Sequence, residues 1–178
     1  MAKRIPIVVL VVVAVLAIGI VTDTAYSGSI PVNWKVSGVI SYVQFFPPVA
    51  QPPDVGILID IVAKGAPADA VAKVVGIPGR RISGPSPNCG DLEEIPFLEN
   101  DMVVTFEDQS MLFAILKPGK GYICIGQEPA VFVLDIVGGT GEYEGATGTL
   151  TSTFMGQQVG TSGILWAQTG TIVGEIVR

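Results

Sequence analysis

The chain has 178 residues, with 10 basic and 16 acidic side chains and no histidine. Its length points to one domain, and its acidic balance argues against nucleic acid or an anionic lipid surface as a partner. The missing imidazole removes Ser–His and Cys–His nucleophiles, the usual zinc and iron ligand sets and the commonest general base near neutral pH, so neither a metal nor another cofactor is expected.

In chain order, residues 1–27 read as an export signal. Lys3 and Arg4 precede an uncharged apolar run from Ile7 to Val21, and small residues lead to a cleavage site at Ala25-Tyr26-Ser27. The run is shorter than the ~20 apolar residues of a membrane span, so cleavage after Ser27 is favoured over retention as an N-terminal anchor. Either way residues 28–178 form the domain and are expected to be exported, secreted or periplasmic, with no membrane contact once the signal is removed. Cys89 and Cys124, both in the exported part, read as one disulfide in an oxidising compartment, with a reactive thiol or two inert buried thiols as the alternatives. In the chain-entropy picture such a closure contributes about 3–4 kcal/mol.

After the signal, short apolar runs of period 2 alternate with Gly and Pro clusters, the pattern of an all-β domain. Trp34 to Phe46 is the first, with Trp34, Val36, Ile40 and Tyr42 on one face and Lys35, Ser37 and Ser41 on the other. Phe46 to Asp54 holds four prolines, which cannot donate to a ladder, and is expected to be a stiff loop. Gly56 to Lys64 follows as a strand. Ala66 to Gly76 fits either one helical turn or a strand, with the strand favoured because the segment is short and ends at Gly. Ser83 to Asn88 is loop. Asp101 to Phe106 and Ser110 to Leu116 form a hairpin, Lys117 to Gly121 a turn, and Tyr122 to Ile125 and Val131 to Val137 strands. Ala146 to Phe154 and Gly160 to Val177 are Thr-, Gly- and Val-rich strands. A sheet of about eight strands without covering helices must split into a sandwich or close on itself, and a single antiparallel closed barrel of eight strands or so is preferred because closure removes the edges.

The most distinctive stretch is Val137-Gly-Gly-Thr-Gly-Glu-Tyr-Glu-Gly-Ala-Thr-Gly148. It lacks the Gly-Lys-Ser/Thr of a phosphate loop, and Glu144 stands where a dinucleotide fingerprint needs Gly. Gly138, Gly139, Gly141, Gly145 and Gly148 suit a tight strand-to-strand connection, with Tyr143 folding back to plug the barrel end. The run resembles the turn of allene oxide cyclases and plant dirigent proteins, and of uncharacterised exported bacterial proteins of that barrel type. Val104-Thr-Phe-Glu-Asp-Gln-Ser-Met-Leu-Phe113 is similar to the hairpin such proteins carry before it. The resemblance implies an eight-stranded antiparallel barrel with an apolar lumen. It implies no catalytic residue, because no local motif matches the lumen positions of those enzymes.

Other constellations have duller readings. Asp60 and Asp135 alternate against apolar neighbours and should point to solvent rather than form an acid–base pair. Glu93-Glu94 and Glu107-Asp108 lack a calcium-loop pattern and read as solvated turns. Trp34, Tyr42, Phe113 and Trp166 are core aromatics by type, but in a small barrel the core is also the pocket wall, so they are the candidate lumen residues. The favoured function is binding of a small apolar molecule in the lumen. A cofactor-free cyclase or isomerase acting by shape and a structural or surface protein with a filled lumen are the alternatives, and an oligomer is left open. Intact mass of the protein recovered from its native compartment should begin at Gly28; a retained Met1 would refute the cleavage site.

Overall fold

The computed structural model describes residues 28–44, 55–126, 129–161 and 165–178. Eight strands run in sequence order around one antiparallel closed barrel: β1 (Ser29–Gln44), β2 (Val55–Ala66), β3 (Ala70–Pro78), β4 (Glu94–Phe106), β5 (Met111–Cys124), β6 (Ala130–Thr140), β7 (Thr147–Gln158) and β8 (Leu165–Val177). Each strand pairs with the next, and β8 returns to β1 from Ser29↔Val177 to Ser41↔Leu165. The signal segment and the proline-rich stretch from Phe46 to Asp54 lie outside the described residues.

Side-chain parity explains the layout. In β3, Ala70, Ala72 and Val74 are buried while Val71, Lys73 and Val75 face out, as alternate residues must on opposite faces of a strand. The inward rows of β1, β2, β5, β6, β7 and β8 supply Trp34, Ile59, Leu112, Leu134, Leu150 and Ile172, all essentially inaccessible. An eight-stranded barrel is just wide enough for such side chains to fill it or for one small ligand to replace some of them.

One end is filled. Between β6 and β7 a three-residue 3-10 turn, Gly141–Tyr143, bends the chain under the barrel. Gly141 takes φ 59 there, a left-handed conformation that glycine adopts without strain. At Gly139 a Cβ would collide with the Met111 carbonyl oxygen and with Tyr143, so only glycine fits. Gly138 lies opposite Phe113 at a register shift of the β5–β6 ladder, Gly145 lies in the turn and Gly148 opens the β6–β7 pairing opposite Ile136. Tyr143 is thereby buried and stacks on Phe106 with ring centroids 4.4 Å apart, and Phe106 in turn meets Trp34 at 6.1 Å. Trp34 Nε1 donates to the Ala68 carbonyl at 2.8 Å, satisfying the one polar atom of a fully buried ring. From outside, the Arg178 guanidinium lies 5.9 Å from the Tyr143 centroid and donates to the Glu142 carbonyl at 3.1 Å. Burial raises the Tyr143 phenol above its ordinary pKa, Glu142 adds to the rise and Arg178 opposes it.

Two segments differ from the sequence expectation. Residues 117–121 are not a turn between strands: β5 runs through them, and its pairing with β6 jumps from Leu116↔Leu134 to Gly121↔Phe132. Pro118 cannot donate and Gly119 sits at φ 70, so the turn-forming residues are absorbed as an exposed bulge within a longer strand. The favoured strand reading of Ala66 to Gly76 holds from Ala70, where β3 begins after the connection at 67–69. Glu94 is not in a solvated turn; it is 2% exposed. Its carboxylate accepts from the Asn88 backbone N at 3.2 Å and from Asn88 Nδ2 at 2.8 Å.

Tyr143→Ala should lower unfolding free energy by about 3–5 kcal/mol, the usual cost of truncating a buried aromatic. Denaturant titration checks this, and an unchanged midpoint would show that the ring is no plug.

Candidate functional site

The opposite end of the barrel is not filled. A cavity of about 600 Å³ occupies it, within the 300–1,000 Å³ range of small-molecule sites. It lies between the C-terminal ends of β1, β5 and β7 and the N-terminal ends of β2, β4, β6 and β8. Ile40, Ile57, Ile59, Ile95 and Ile123 form an aliphatic wall, and Phe97, Phe132 and Phe154 form an aromatic one. Phe97 and Phe132 meet edge to face at 4.9 Å, and Phe154 stands 6.1 Å from Phe132. These residues point inward by strand parity, and among the described residues they leave the space between them open.

Polar groups at the cavity are few. The described lining contains Tyr42, Trp166 and Gln168 and neither a carboxylate nor a cation. Gln168 is 3% exposed, and neither its Nε2 nor its Oε1 has a hydrogen-bond partner. Asp60 and Asp135 are turned away: Asp60 pairs with Lys73 at 2.5 Å, and Asp135 lies 3.6 Å from Lys117 on the outer surface. The two carboxylates therefore do not form an acid–base pair.

A disulfide braces one side of the mouth. Cys89 and Cys124 are bridged, with Cα atoms 5.5 Å apart, and Cys124 belongs to the cavity wall. The bridge fixes the β3–β4 connection against the end of β5. Within that connection the Cys89 backbone N donates to Ser86 Oγ at 3.2 Å, Ser86 Oγ donates to the Leu92 carbonyl at 3.2 Å, and Arg81 pairs with Glu93. Ile125 N donates to the Glu93 carbonyl at 2.9 Å, extending the seam. The Glu94–Asn88 contacts complete a loop held by its own polar groups.

The four aromatics singled out from sequence do not meet at one place. Tyr42 and Trp166 both line the cavity, near one another across the β1–β8 ladder, where Ile40 pairs with Trp166. Trp34 points into the lumen but belongs to the plugged half, against Phe106. Phe113 is on the outer face: it pairs with exposed Val103, while its neighbours Leu112 and Ala114 take the core positions. Sequence reading missed Gln168 and the phenylalanines at positions 97, 132 and 154. A signal existed for Gln168, since Trp166, Gln168, Gly170 and Ile172 share one face of β8 and an amide is out of place among them.

No known family's sequence pattern matches the chain, and no curated protein does. Among solved structures it is similar to a nonspecific heme-binding cyclase that catalyses [4 + 2] cycloaddition during neoabyssomicin biosynthesis, at 13% identity and a TM-score of 0.44, covering 98% of this chain and 84% of that one. It is also similar to the pterocarpan synthase dirigent protein GePTS1, at 14% identity and a TM-score of 0.41, covering all of both chains. Identities this low carry no residue role or substrate across.

Reduction of Cys89–Cys124 should lower stability by about 3–4 kcal/mol, the chain-entropy value for a loop of this length. Paired denaturant melts with and without reductant measure it, and coincident melts would show that the bridge contributes nothing.

Proposed function

We propose that this protein works outside the cytoplasm, where the Cys89–Cys124 bridge stays oxidised, and that it binds a small, largely apolar molecule in the open half of its barrel. The observation that carries the reading is the cavity of about 600 Å³, walled by aliphatic and aromatic side chains, at one end of a barrel whose other end is packed shut. Water is a poor occupant of so apolar a space, since each molecule needs two to four polar partners. An apolar ligand replaces it and gains on the order of 25 cal/mol for each Å² of apolar surface it hides. A purely structural barrel would have a lumen filled throughout by side chains, and the open space among the described residues at this end favours the binding reading over it.

The same cavity supports a second reading as a cofactor-free cyclase or isomerase of the allene oxide cyclase or dirigent kind. What favours it is shape: a blind, rigid, apolar recess can hold a flexible chain in one folded conformation and so lower the entropic part of a ring-closing barrier. Its only described polar lining groups are neutral at pH 7, so such chemistry would depend on positioning and hydrogen bonding rather than on proton transfer to a carboxylate.

Gly156 provides the test. It faces inward on β7 opposite Gln168, and a Cβ there would make only an ordinary contact, 3.5 Å from the Trp166 ring. Gly156→Leu should therefore fill part of the cavity without straining the fold. Titration with the apolar fluorophore N-phenyl-1-naphthylamine should give saturable one-to-one binding to the native protein and at least about tenfold weaker binding to the variant, at an unchanged melting temperature. Absence of saturable binding, or equal binding by the variant, would refute the lumen site.

A further inference from the structure

We propose that the lumen's occupant carries an uncharged head with a hydrogen-bond donor and acceptor side by side, as in a primary amide, a lactam or a protonated carboxylic acid, and that this head docks on Gln168. The inference rests on the reading of the lumen as a ligand site and adds the chemical class of what enters it.

Asn100 Oδ1 and Ser152 Oγ are also buried without a partner, but of the three residues Gln168 is the one that lines the cavity. Its carboxamide is buried, forms part of the cavity wall and has neither its donor nor its acceptor satisfied. Buried polar side chains are normally paired, because an unpaired group loses its hydration with nothing in return. A leucine of similar size would fill the position without that penalty. Three of its neighbours offer the amide no side-chain partner. Its cross-strand neighbours are Gly38 on β1 and Gly156 on β7, and the next inward position on its own strand is Gly170. None of the three offers a side chain to bond it, and Gly38 and Gly170 cannot be replaced, since a Cβ on either would strike a carbonyl oxygen of the adjacent strand.

The group that suits this site follows from the amide itself. Nε2–H donates and Oε1 accepts, about one bond angle apart, so the matching head presents an acceptor and a donor in the same plane. Exchanging the amide's N and O reverses the order and leaves the demand unchanged. A charged head does not suit it. No lysine, arginine or carboxylate is among the described lining residues to pair with an ion, and an unpaired charge in an apolar recess is strongly disfavoured. The remaining wall is hydrocarbon, so the rest of the ligand is too.

Two matched probes, decanamide and methyl decanoate, test the assignment by calorimetry on the full chain. The ester keeps the chain and the acceptor but lacks the donor. In the native protein the ratio of the ester's Kd to the amide's should exceed the same ratio in Gln168→Leu by at least about tenfold, a comparison that cancels the probes' different hydration. Replacing an unpaired polar group by an apolar one should hold or raise the melting temperature, and Gln168→Met reads the same ratio if the leucine variant does not fold. Equal ratios, with both probes still binding, would overturn the Gln168 assignment and leave the lumen site standing. Failure of both probes to bind the native protein would overturn the assignment together with the lumen reading.

Discussion

Closing eight strands on themselves fixes the width of the lumen, and that width presents every inward-facing position with the same choice between filling space and leaving it. Toward one end the choice is to fill. Trp34, Phe106 and Tyr143 form a three-ring column across β1, β4 and the turn after β6, with Leu112, Leu150, Ile172 and Ile176 packed into the same core. Toward the other end the inward rows carry isoleucines and phenylalanines that line a cavity, with Phe97, Phe132 and Phe154 in contact along one side of it. Packed core and open space are thus concentrated in opposite halves of one continuous sheet. The same eight strands run through both halves, so the packed half holds the geometry of the open one, and among the described residues no helix or second layer supports it.

Glycine serves the same division in two ways. Gly38, Gly170 and Gly174 lie where neighbouring strands approach so closely that a Cβ would strike a carbonyl, and such points let a small barrel coil tightly. Gly156 is different, because a Cβ there would approach only the edge of Trp166, at an ordinary contact distance. Space at that position is not demanded by the backbone. It belongs to the cavity.

Much of the architecture could be read from residue alternation, because β2 and β3 place clearly polar residues such as Asp60 and Lys73 opposite clearly apolar ones such as Ile59 and Val74. The glycine run at 138–148 was legible for a related reason, since a dense cluster of glycines around one aromatic has few other uses. Where both faces of a strand are apolar, parity is silent. Leu112, Phe113, Ala114 and Ile115 offer no polar marker, so the outward aim of Phe113 could be found only from its partner Val103 across the ladder. Depth along the barrel is likewise absent from a one-dimensional pattern. Trp34 and Tyr42 share a face, yet one is sealed beside Phe106 and the other stands 46% exposed at the mouth. Glu94 reads as solvated and Gln168 draws no notice because residue type marks both as surface residues, and only the closed sheet shows that they are buried.

One pair of hydrogen bonds has a further consequence. Gly28, the first described residue, and Arg178 exchange backbone hydrogen bonds of 3.0 and 3.3 Å beside the tyrosine plug, at the pole opposite the cavity. The molecule therefore has a handle and an aperture at opposite poles. A reporter, a resin or a second domain joined after Arg178 is held at the sealed pole and leaves the aperture facing outward.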